Sequence, residues 1–75
     1  MKVAGYEIIR EEEYAPGCFV ALGARPDGRA VTWERNGADN YFWGHYYQHL
    51  ENAVVDYHER IAHLVKLRLD ISGRS

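Results

Sequence analysis

The sequence predicts a small α+β domain: an antiparallel β-meander of three to four strands followed by one C-terminal amphipathic helix, in the order β-β-β-β-α. Two observations carry this reading. Three turn signals, Ala15-Pro16-Gly17, Arg25-Pro26-Asp27-Gly28 and Asn36-Gly37-Ala38-Asp39, cut the first part of the chain into strand-length pieces. From Tyr47 onward, apolar residues recur in steps of three and four, at Tyr47, Leu50, Val54, Tyr57, Ile61 and Leu64, and strands do not produce that spacing.

The strands fall at residues 6–13, 18–24, 30–35 and 40–47, all rich in β-branched and aromatic side chains. Proline presets φ at the first central turn position and glycine supplies φ > 0, so each punctuation mark is a turn with a mechanism. Connections this short make neighbouring strands antiparallel, in one sheet over about 6–47. The helix begins near His49 or Leu50 and is predicted over about 49–68, with Asp56 and Arg60 as an i,i+4 pair. Its end has two readings. Val65, Leu67, Leu69 and Ile71 alternate with Lys66, Arg68 and Asp70 at strand periodicity, yet no Gly or Pro separates Leu64 from Val65. Continuation of the helix to about Leu69 is favoured over an extended arm, with a flexible tail at 72–75.

Seventy-five residues make one domain, 1–75, which buries only about 60% of the surface its unfolded chain exposes. Chains of this size usually add a disulfide framework, a metal or a partner subunit. Cys18 is the only cysteine, so no internal disulfide forms, and a lone thiol suits a reducing, cytoplasmic setting. The opening residues lack the apolar stretch of a signal peptide, and no window approaches the roughly 20 apolar residues of a membrane span. A soluble protein with no membrane role is expected. The net charge of −2 is spread without the clustered Lys and Arg of a nucleic-acid footprint.

Aromatic content is the more telling number: six Tyr, two Trp and two Phe, concentrated between Trp33 and Tyr47. With uninterrupted alternation, Cys18, Val20 and Leu22 oppose Phe19 and Ala21, while Tyr41, Trp43 and Tyr47 oppose Phe42 and Tyr46. Both sheet faces are therefore apolar. Four strands make a sheet about 15–20 Å across and one helix is about 10–12 Å wide, so a single helix leaves aromatic surface uncovered. Val55, Ala62, Val65 and Leu69 widen the helix's apolar arc to about 200°, beyond what one core contact needs. Exposed apolar patches mark interaction sites. The expectation is a homodimer or a protein partner, met by Trp33, Tyr41, Trp43 and Tyr46 as aromatic anchors.

Chemistry-bearing patterns are sparse. His45, His49, Asp56 and His63 would share a face on one continuous helix, which is acceptable zinc geometry, but the strand-to-helix boundary between His45 and His49 breaks the spacing. Ser72 and Ser75 lie in the tail, Thr32 is mid-strand, and Cys18 reads as a small buried hydrophobe. Glu11, Glu12, Glu13 and Glu34 read as charges that discourage edge pairing. No glycine cluster forms a phosphate cradle. A pocket of about 300 Å³ or more is not expected in so short a chain. These readings predict no enzyme, no catalytic or cofactor-binding residue and no metal.

Two resemblances bear on the partner. Tyr41-Phe42-Trp43-Gly44-His45-Tyr46-Tyr47, leading into Leu50-Glu51-Asn52-Ala53, loosely resembles the sheet-to-helix segment of AP2-type DNA-binding domains. That resemblance implies a sheet entering the major groove; independently of it, Trp33, Tyr41 or Trp43 could stack the bases of a single strand. Affinity for DNA is mostly phosphate neutralisation, and only Arg10, Arg25, Arg29 and Arg35 are available, which argues against nucleic acid. In size, mild acidity and lack of motifs the chain also resembles phage-encoded inhibitors of host defence, such as anti-CRISPR proteins. The leading expectation is a compact non-enzymatic binding module, an inhibitor or adaptor acting by protein–protein contact. The nucleic-acid-binding sheet–helix domain is the alternative.

Overall fold

Strands β1 (Lys2–Val3), β2 (Tyr6–Ala15), β3 (Cys18–Ala24), β4 (Ala30–Asn36) and β5 (Asn40–Tyr47) follow one another in space as in sequence, and helix α1 (Leu50–Ser72) comes last. This is a computed structural model, and it describes residues 2–72, with side chains to Leu69. All neighbouring strands pair antiparallel. The strand count is one higher than expected because Ala4 and Gly5 both adopt positive φ, 52° and 86°, and turn the chain back so that Val3 faces Tyr6. Positive φ at both central residues suits the twist of a two-residue hairpin.

Helix α1 starts at the His49 carbonyl, which accepts hydrogen bonds from the N–H groups of Asn52 (3.2 Å) and Ala53 (3.4 Å). It does not stop near residue 68 but runs to Ser72, so the extended-arm alternative does not form. The remainder of the expected tail, residues 73–75, lies outside the described residues. Ala53 and Tyr57 are buried against Val20, Leu22 and Ala30, with Tyr14, Tyr47, Val54, Ile61 and Leu64 closing the cluster. Past Leu64, residues 65–69 are all exposed.

The other face of the sheet buries itself. Trp33 takes edge contacts from Tyr6 (6.0 Å between centroids), Tyr41 (5.5 Å) and Tyr46 (6.2 Å), and Val31, Val3 and Ile8 complete the cluster. Tyr6 on β2 and Tyr46 on β5 are themselves 6.0 Å apart. Three flat interstrand steps would separate those strands by about 14 Å, so the sheet curls to bring the rings together over Trp33. Trp33, expected at the surface, is 5% exposed. A flat sheet would have left Trp33 uncovered, but the curl closes Tyr6 and Tyr46 over it, and Trp33 is a core residue.

The alternation along β5 is also broken. Thr32 pairs with His45 and Glu34 with Phe42, which leaves both Trp43 and Gly44 opposite Trp33. This β-bulge shifts the phase of the strand. Tyr41 and Tyr46 therefore share the Trp33 face, while Phe42, His45 and Tyr47 pair with residues of the helix-facing side. Gly44 permits the close approach: a Cβ there would lie 2.8 Å from Trp33 Nε1 and 2.9 Å from Tyr46 Cε1.

Candidate functional site

The bulge is where β5 meets α1. Its first residue, Trp43, holds φ at 52°, the left-handed region, which is an outlier for a bulky side chain. The indole is 70% exposed and touches the Phe42 ring, 5.0 Å between centroids. The Trp43 carbonyl turns inward and accepts a hydrogen bond from Arg60 Nη1 at 2.9 Å. Arg60 is only 9% exposed, and its Nη2 lies 3.9 Å from Asp56 Oδ2, the i,i+4 pair expected from the spacing.

Asp56 is the centre of a polar network. The Thr32 hydroxyl donates to its Oδ2 at 2.5 Å and His45 Nδ1 meets the same oxygen at 3.1 Å. Burial works against the charged carboxylate. The hydrogen bonds from Thr32 and His45, with the field of Arg60, outweigh that and hold its pKa below the ordinary carboxylate range. Beneath lies Glu34, buried, which accepts the Tyr14 hydroxyl at 3.2 Å. Burial, then the Glu34 charge, pushes the Tyr14 hydroxyl up to about 12.

These residues line a cleft of about 370 Å³ whose walls are Trp43 and His45 on one side and Asp56, Glu59, Arg60, His63 and Leu64 on the other, with Glu34 at its base. A cleft of this size was not expected. It arises because the bulge carries Trp43 out beside the helix and leaves a gap between β5 and α1. A wider hollow of about 520 Å³ near the helix N-terminus is lined by Gly28, His49, Leu50, Glu51 and Val54.

The order of groups in this network differs from that of a nucleophile relay. In a nucleophile–His–carboxylate relay the imidazole stands between hydroxyl and carboxylate. Here Asp56 stands between Thr32 and His45, so the hydroxyl faces no base other than the carboxylate. His45 Nδ1 is engaged by Asp56, and the residue lines the cleft. His45 and His63 line the cleft while His49 lines the other hollow, so the expected break between His45 and His49 is present. Among the described residues no group of three or more His, Cys, Asp or Glu is arranged to hold a metal ion.

The four aromatic anchors named from the sequence do not form one surface. Trp33 is enclosed. Tyr41 is half-buried, and its hydroxyl is buried without a hydrogen-bond partner. Tyr46 is 60% exposed, but on the face opposite the helix, against Tyr6 and Trp33. Trp43 alone reaches the cleft. Sequence reasoning missed the Thr32–Asp56–His45 network and the Arg60 clamp. One signal was available: an isolated glycine within a strand, Gly44, marks a bulge.

No described helix is long and apolar enough to cross a membrane. No protein-family model matches the chain, and no curated protein or solved structure matches it significantly.

Proposed function

We propose that the chain is a non-enzymatic binding module that engages another protein through the cleft between β5 and α1, with Trp43 as its anchor. One observation carries this reading: an exposed Trp occupies a left-handed bulge position where glycine would sit without strain. That backbone costs about 1–2 kcal/mol, while the indole stays 70% exposed and its ring contact with Phe42 adds about 0.5–1.5 kcal/mol beyond the little area it buries. Strained positions of this kind concentrate at ligand clamps, and Trp is enriched among the residues that dominate interface energetics. The buried Arg60 fixes the bulge from behind, so the indole is presented by a rigid support.

Occlusion of a larger partner, as by an inhibitor or adaptor of the anti-CRISPR type, is the mode of action this surface suits. The nucleic-acid alternative has less support. Arg25 lies over the Tyr6 ring, Arg29 is paired with Asp27, and Arg35 is paired with Glu11 and stacked on Phe19, so three of the four arginines on the sheet and its turns are engaged within the chain.

The test is site-specific photocrosslinking in native extract, with the reactive group at position 43 and, as a control, at the exposed Ile9 on β2. The reading predicts a discrete protein adduct at position 43 that unlabelled protein competes away and the Trp43→Gly variant does not. Identical adducts from both positions would refute it, and a nuclease-sensitive adduct would favour the nucleic-acid alternative.

A further inference from the structure

Helix α1 carries a second row, apolar but for His58, that the sheet does not cover. Val55, His58, Ala62, Val65 and Leu69 follow at steps of three, four, three and four, the a/d spacing of a helix–helix seam. At about 100° per residue the row stands roughly 120° round the helix from the line through Tyr57 that packs on the sheet. All five residues are exposed, Leu69 to 67%.

Charges beside the row select an occupant and a direction. Glu59 and Lys66 each follow a seam residue, on the same edge, and neither has an ion-pair partner among the described residues. Let a second copy of the helix run antiparallel, with Ala62 against Val65 of the second copy and His58 against Leu69 of the second copy. Glu59 then lies within about 3 Å along the axis of Lys66 of the second copy, and symmetry repeats the pair. A parallel pairing sets Lys66 beside Ile61 and Glu59 beside Val54, and no opposite charges meet. The antiparallel pairing also lays the uncovered residues 65–69 beside residues 58–62 of the other copy, where the helix is backed by its sheet.

We propose that the chain forms a two-fold dimer through this row, helix α1 against helix α1, antiparallel about an axis between Ala62 and Val65. The dimer is independent of the cleft reading, since Trp43 lies outside the seam and only Glu59 borders both.

Sedimentation equilibrium of the full chain, from micromolar to millimolar concentration, tests it. The expected result is a monomer–dimer equilibrium that Val65→Glu or Leu69→Glu abolishes without changing the far-ultraviolet circular dichroism. Glu59→Lys and Lys66→Glu should each weaken association about tenfold at low salt, as two exposed ion pairs allow, and the double variant E59K/K66E should restore it. A protein still monomeric at millimolar concentration, a dimer that survives both glutamate substitutions, or a double variant as weak as the single ones would each overturn the proposal. A monomer that still crosslinks specifically from position 43 would overturn the dimer and leave the cleft reading standing.

Discussion

The guanidinium of Arg60 and the backbone carbonyl of Trp43 meet at 2.9 Å, which ties the middle of the helix to the one irregular point of β5. Hydrogen bonds to buried charged groups contribute about 1.5–3 kcal/mol. Arg60→Ala is therefore expected to destabilise the fold by about 2–3 kcal/mol, and amide exchange should quicken first at Trp43 and Gly44. Urea unfolding with residue-resolved hydrogen exchange checks both. Unchanged protection at the bulge would show that Arg60 does not hold it.

The two tryptophans should respond oppositely to substitution. Trp33 is enclosed by three tyrosine rings, so Trp33→Ala should cost about 3–5 kcal/mol or prevent folding. Trp43→Gly relieves the left-handed strain and loses little packing, so stability should change by less than about 1 kcal/mol. Between them, Gly44→Ala forces a Cβ to 2.8 Å from the Trp33 ring and should cost about 1–3 kcal/mol. Thermal melts of the three variants give the ranking.

Tyr41→Phe should be neutral or stabilising. The Tyr41 hydroxyl is buried without a partner, and an unsatisfied buried polar group costs about 1–3 kcal/mol, while the ring contact with Trp33 survives the change. A loss of stability in this variant would mean that the hydroxyl is satisfied in solution.

Stability should fall at both ends of the pH scale for identifiable reasons. Asp56 has a folded pKa below its unfolded value near 3.8, so its contribution is complete above that value and is lost as pH falls through the folded one. Asp56→Asn should lower stability at neutral pH and flatten this acid limb. Tyr14 keeps its proton to about 12 when folded against 10 when unfolded, so stability declines as pH rises from 10 towards 12. Tyr14→Phe should remove that part of the alkaline loss. Urea midpoints measured across the pH range report both limbs.

Much of the fold was legible because its punctuation is local. Pro16-Gly17, Pro26-Asp27-Gly28 and Asn36-Gly37 need no distant partner to turn the chain, so β3 and β5 begin and end where the sequence places them. The three-and-four spacing from Leu50 to Leu64 likewise declares the helix by itself. What stayed hidden depends on contacts between strands distant in the sheet. The curl that brings Tyr6 to Tyr46 decides the fate of Trp33, and no local pattern encodes it. The bulge at Trp43 and Gly44 reverses which residues of β5 face the helix, so the alternation read before it misleads after it. The Asp56 network joins Thr32, His45 and Arg60 from two strands and the helix, and only the Asp56–Arg60 spacing was visible beforehand.

Fluorine NMR of protein labelled with 5-fluorotryptophan tests most directly whether Trp33 serves the fold and Trp43 serves a partner, since both indoles report in one spectrum. The account predicts a solvent-isotope shift for the Trp43 resonance alone, and movement or broadening of that resonance alone when native extract is added. A Trp33 signal that responds to solvent and extract, or a Trp43 signal shielded from solvent and unmoved by extract, would contradict it.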